Sequence, residues 1–201
     1  MKQLMPFDEI NRLEDELILS TFEVDGVRRS RKDKHECIDE VFELLCLAYL
    51  EGTEAVAKEF GIDIDFFGLG HQMNQSVFKQ FNGKDFRDRV GEYYDAGDYE
   101  SINRVIETET HRIYNDAVLN AANIVRDTKT AETGEKPVIM KRWKTMLDER
   151  VRDTHDYLEG RTVPLDELFF TFDGDSAMYP GGFENPENNI NCRCGIDITS
   201  A

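Results

Sequence analysis

Apolar residues recur at spacings of three and four along most of the first 125 positions, the repeat of amphipathic helices. Ile10, Leu13, Leu17 and Ile18 form one such stripe and predict a first helix over residues 6–22. Ile38, Val41, Phe42, Leu45, Ala48 and Tyr49 form a stronger one, which runs on to Phe60 with Gly61 as its stop. Between the two stripes the basic cluster Arg28-Arg29-Ser30-Arg31-Lys32 reads as a solvated loop. Residues 63–70 are turn-like, and shorter helices are predicted near residues 71–81 and 84–94. Asp98 then suits the N-cap of a long helix to about Val125, with Ile102, Ile106, Ile113, Ala117 and Ile124 near one stripe. Glu109 falls on that stripe. A carboxylate on an apolar face has to be paired with an Arg, sit at an edge, or serve as a functional acid.

The pattern changes past residue 128. Residues 128–137 read as a polar turn, 138–143 as a strand, and 147–158 as a helix closed by Gly160. Short strands are predicted at 169–172 and 193–198, separated by a turn-rich stretch over 179–189. The fold class is therefore α+β and mainly helical. A helical N-terminal region over residues 1–97 is expected to precede a small α+β domain over residues 98–201.

Composition and charge narrow the partners. A chain of 201 residues can bury a real core, and 40% hydrophobic with 32% charged residues is ordinary for a globular protein. The formal net charge of -17 is not. It opposes direct DNA binding, whose affinity comes from Lys and Arg displacing counterions, and it suits a basic protein partner. The longest apolar run, residues 44–50, is too short to cross a bilayer, so no membrane contact is expected. The acidic start predicts no secretory signal and a reducing compartment, where the four cysteines read as thiols or metal ligands. Cys37 and Cys46, inside a helical pattern, are expected to be small buried apolar residues.

The candidate chemistry lies near the C-terminus. Asp148, Arg152 and His155 share one stripe of the helix predicted there, and Cys192 and Cys194 share one face if their segment is extended. The two stripes are expected to meet in space. Two thiolates and an imidazole can bind zinc, with Asp148 or water as a fourth ligand, although Cys-x-Cys is a less usual spacing than Cys-x-x-Cys. The alternative is a metal-free network in which Asp148, Arg152 and His155 hydrogen-bond the turn before Asn191. A Cys nucleophile with His155 as base lacks any accompanying oxyanion-hole signature. Gly181-Gly182 lacks the Lys and the strand–loop–helix setting of a phosphate-binding loop.

The order of these pieces resembles the C-terminal domain of the phage Mu F-like minor head proteins, the head-morphogenesis family of tailed phages. The resemblance runs from Thr108, Glu109 and Asn115 through Trp143, Asp148, Val151, Arg152, His155 and Gly160. It continues with Pro164, Glu167 and Phe169, then Tyr179, Pro180 and Gly181, and closes on Asn191, Cys192, Arg193 and Cys194. Where the family element has Arg, this chain has Glu107, and Arg104, one turn earlier, is placed to substitute.

The resemblance implies a minor capsid protein of the virion or procapsid interior, made in the bacterial host cytoplasm, that meets a portal, major capsid or scaffold protein. It implies a polar constellation of Glu109, Asn115, Asp148, Arg152, His155, Asn191 and Arg193, with no assigned catalytic residue. A cofactor, if there is one, would be zinc at His155, Cys192 and Cys194. The competing reading is an enzyme or toxin-delivery module on the same domain, either a metal-dependent hydrolase or ADP-ribosyltransferase-like.

Overall fold

The computed structural model describes residues 33–200, together with Arg12 and the pairs 22–23 and 29–30. The helix predicted over residues 6–22 otherwise lies outside the described residues. Phe22–Glu23 (β1) and Arg29–Ser30 (β2) pair antiparallel, so part of the basic cluster is strand rather than loop.

Helix α1, Lys34–Phe60, opens on a capping box. The Asp33 carboxylate accepts from the amides of His35 and Glu36, and the Glu36 side chain accepts from the Asp33 amide. It ends at Gly61 in the left-handed region, φ 60°, as its sequence predicts. Helices α2 (Gly70–Val77) and α3 (Phe86–Ala96) follow, α3 with a second capping box between Asp85 and Asp88. Cys37 is buried as expected, whereas Cys46 is only half-buried because it faces the flank of the stripe.

Helix α4, Tyr99–Thr133, is the spine of the molecule. Asp98 caps it through the amide and hydroxyl of Ser101. It runs eight residues past Val125, into the stretch that polarity marks as a turn, and stops at Gly134. Every residue from 109 to 115 is buried, polar ones included. Helix α1 packs on one side of the spine, and the C-terminal sheet and its loops close over the other.

That sheet has three antiparallel strands in the order β4-β3-β7, with β3 Ile139–Lys144, β4 Thr162–Pro164 and β7 Gly195–Ser200. Trp143 pairs with Ile196 across β3 and β7. A hairpin of β5 (Phe169–Phe170) and β6 (Ser176–Ala177) stands beside it.

The helix predicted over residues 147–158 is not formed. Leu147 adopts φ 53° and is 74% exposed, Asp148 to Val151 is a turn, and only Asp153–Asp156 (α5) makes a helical turn. Local polar bonds win here over the helical stripe expected of Asp148, Arg152 and His155. The Asp148 side chain accepts from the Arg150 amide, and Arg152 stays extended, with ψ 150°, as the residue before α5. Among the described residues no helix is long and apolar enough to cross a membrane.

Candidate functional site

His155, the one buried residue of α5, enters the core beneath β3. Trp143, fully buried in β3, meets its ring edge-on at 5.4 Å between centroids, and Phe183 stacks on it at 5.4 Å. This aromatic cage leaves the ring's Nδ1 facing the Cys192–Cys194 segment, 3.5 Å from each sulfur. Both cysteines are buried. The segment precedes β7 and is irregular, not strand, yet it keeps the alternation its sequence predicts. The two sulfurs turn inward, while Arg193 turns out to bond Asp148 in a fork, at 2.8 and 2.7 Å.

The remaining members of the constellation tie this segment down. Asn115, buried in α4, donates to the carbonyls of His111 and Cys194 and accepts from the Ile196 amide at 3.1 Å. It thereby satisfies backbone groups just before and within β7. The Asn191 amide, at a left-handed residue with φ 56°, donates to Thr108 Oγ1. Arg152 donates to the carbonyls of Asn188 and Ile190, which flank the end of α6 (Pro186–Asn189). The expected meeting of the two polar blocks is thus present. It comes from turns around residues 148–155, since Asp148 and Arg152 share no helical stripe with His155.

Electrostatics set the thiols apart. Hydrogen bonding with Cys194, and then with His155, holds Cys192 well below the ordinary thiol range although burial opposes this. The same bond and burial push Cys194 up. The two sulfurs titrate together, with Cys192 the more acidic member. Salt bridging to Arg193 lowers the Asp148 carboxyl, so its charge is engaged at neutral pH. The ligand atoms within 4.8 Å of one another are those of His155, Cys192 and Cys194.

Glu109 belongs to a separate cluster. Its carboxylate, 2% exposed, accepts from Arg89 Nη2 and Arg112 Nε, both at 2.7 Å. Burial would raise its pKa, but the two guanidiniums outweigh that and lower it. Arg104, the substitute suggested by sequence, is exposed and lines a cavity of about 340 Å³ beside this pair. Arg89 comes from α3, twenty residues upstream of Glu109, and carries no local sequence signal. Gly181 explains the Tyr179-Pro180-Gly181 turn: at φ +87° it lies against α4, and a Cβ there would stand 2.9 Å from Arg112 Cβ. Sequence reasoning also missed Lys141, fully buried in β3, whose ammonium donates to the Met178 carbonyl and is lowered by burial to about 8.

The family described as Phage Mu protein F like protein matches residues 70–197, the stretch that contains α2, α3, the spine and the C-terminal sheet up to the first half of β7. The chain belongs to this family. Among curated relatives, an NAD(+)–arginine ADP-ribosyltransferase EFV of Enterococcus faecalis is 32% identical over 109 residues, 50% of this chain and 22% of that protein. Minor head protein GP7 of Bacillus phage SPP1 is 31% identical over 90 residues, 44% of this chain and 26% of that protein. The chain therefore spans about a quarter or less of the length of these relatives. No solved structure matches it significantly. Of the residues that carried the resemblance, Thr108 and Asn115 bond the spine to Asn191, Cys194 and Ile196, and so to the segment that leads into β7.

Proposed function

We propose that the chain is a minor capsid protein that acts in head assembly, associated with the portal vertex or the inner capsid wall. The observation that carries this reading is the family match over residues 70–197, joined by the likeness to a phage protein named as a minor head protein. In this reading residues 98–201 form the head-protein domain and the helical region over residues 1–97 docks onto the portal, major capsid or scaffold protein. The charge of -17 supports contact with basic protein surfaces over packaged DNA. Exposed Phe170, Phe172 and Tyr157 offer an aromatic edge suited to protein contact, and the rings of Tyr157 and Phe172 meet at 5.7 Å.

Co-expression with the portal protein of the same phage tests the reading. The expected result is a complex that survives size-exclusion chromatography and a copy of the chain in purified procapsids. Absence from both procapsids and virions would refute the role.

A second reading follows from the relative named as an ADP-ribosyltransferase, with the chain as an enzyme or toxin-delivery module. Incubating the chain with labelled NAD and arginine-rich protein separates the two. The assembly reading expects no label transfer above a heat-killed control.

A further inference from the structure

Three ligand atoms converge in the interior, where Cys192 already bonds both Cys194 and His155, in a set that one cation could also hold. His155 Nδ1 is 3.5 Å from Cys192 Sγ and 3.5 Å from Cys194 Sγ. A neutral imidazole nitrogen offers either one lone pair or one N–H, so it can serve only one sulfur at a time. Nε2 is buried with no hydrogen-bond partner among the described residues, which leaves Nδ1 as the ring's polar outlet. A single cation would satisfy all three atoms together. Tetrahedral zinc, with Zn–S about 2.3 Å and Zn–N about 2.0 Å, holds such a nitrogen and sulfur about 3.5 Å apart. That separation occurs twice here.

The surroundings also fit. The three residues are buried and their ligand atoms lie within 4.8 Å of one another. A small cavity of about 10 Å³ adjoins them, lined also by Arg150, Arg152, Asn191 and Arg193. That is room for about one water. Asp148 is already engaged by Arg193, which leaves the cavity side as the fourth position.

We propose that His155 Nδ1, Cys192 Sγ and Cys194 Sγ bind one zinc-class cation whose fourth position opens onto this cavity. Thiolate ligands select zinc over magnesium or calcium. As each S–Zn bond forms, any proton still on that sulfur leaves to solvent, and two thiolates cancel the dication's charge inside the core. The ion ties α5 to the segment that leads into β7, where the Arg193–Asp148 fork and the Arg152 bonds already hold the outer side. It acts as a clip for the fold and does not depend on the head-assembly reading.

The test is metal analysis of the full chain, expressed with zinc in the medium and purified without chelator. About one zinc per chain is expected, a content that falls more than roughly tenfold in Cys192→Ser and in Cys194→Ser and stays unchanged in Cys46→Ser. Since the serine variants can lose their fold, cobalt(II) added to demetallated wild-type chain gives a second readout. One equivalent should produce thiolate-to-cobalt charge-transfer absorption in the near ultraviolet, abolished by zinc. A folded wild-type chain with less than about a tenth of an equivalent of zinc and no such absorption overturns the proposal. So does cobalt absorption that persists in a folded chain lacking both thiols.

Discussion

At the scale of single residues, the chain stores its polar cost in the middle of α4, where Glu109 and His111 are buried two positions apart. They make opposite demands on charge. Glu109 is kept ionised by Arg112 and Arg89, whereas burial lowers His111 from 6.5 to about 4 and keeps it neutral, with Cys192 opposing and Arg193 assisting. Above pH 6.5 His111 is neutral folded or unfolded and does not affect stability. As the pH falls below that value the unfolded chain takes up a proton that the folded one refuses. Stability should then drop by about 2–3 kcal/mol by pH 4.5. Glu109, whose folded pKa is depressed from 4.5, adds its loss as the pH falls below about 4.5, where the unfolded carboxylate takes up a proton that the folded one refuses. Urea denaturation at a series of pH values should show this slope in the wild type. His111→Gln should flatten it between pH 6.5 and 4.5, and Glu109→Gln should not. Two superimposable curves for wild type and His111→Gln would show that the imidazole does not titrate as its burial requires. Sequence marked Glu109 as needing a partner, but it could not mark His111, because only the C-terminal segment folding over α4 buries that position.

At the scale of elements, caps were the most legible feature. Asp98 and Gly61 are signals that act through their own backbone neighbours, so no tertiary knowledge was needed. The helix expected over residues 147–158 failed for the reverse reason. The polar stripe of Asp148, Arg152 and His155 was read as helical, but beside the local Asp148–Arg150 bond the backbone is held by groups from some forty residues downstream: Arg193 on Asp148, and the carbonyls of Asn188 and Ile190 on Arg152. The packing of α1 on α4 was legible as two stripes but not as a close contact. At Gly52 a Cβ would meet the Tyr114 carbonyl oxygen at 2.5 Å and Ala117 Cβ at 3.0 Å, so the helices touch backbone to backbone. Gly52→Val must force them apart, against the usual gain from replacing a helical glycine. It should cost about 1–3 kcal/mol or more, read as a lower denaturation midpoint. Gly91, whose added Cβ would first meet the flexible end of the Lys34 side chain at 3.0 Å, is the comparison site. Gly91→Ala should change the midpoint far less, and equal losses at both sites would mean that the α1–α4 contact is not tight.

At the scale of the whole molecule, the family match begins at residue 70, downstream of α1, yet α1 contributes buried Leu45, Ala48 and Tyr49 to the same core that α4 shares with the C-terminal sheet. A helix such as α4, buried on every side around residues 109–115, cannot stand with one cover removed. Taking away α1 would uncover Tyr114 and Ala117, which lie against Gly52, while the Glu109–Arg112 pair stays behind. Burying those side chains is worth about 25 cal/mol per Å² of apolar surface, several kcal/mol in total, which is comparable to the whole stability of a domain this size. A chain shortened to begin at Gly70 is therefore expected to lose cooperative unfolding and to bind hydrophobic dye, although it retains all the family-matched residues. The proposed zinc clip would not rescue it, because it would join α5 to the segment before β7, on the far side of the spine. Adding back a peptide of residues 33–61 should restore a sharp thermal transition if α1 acts through this face. A shortened chain that melts cooperatively by itself, at the temperature of the full chain, would place the boundary of the folding unit at the start of the family match and would make α1 an attached docking arm.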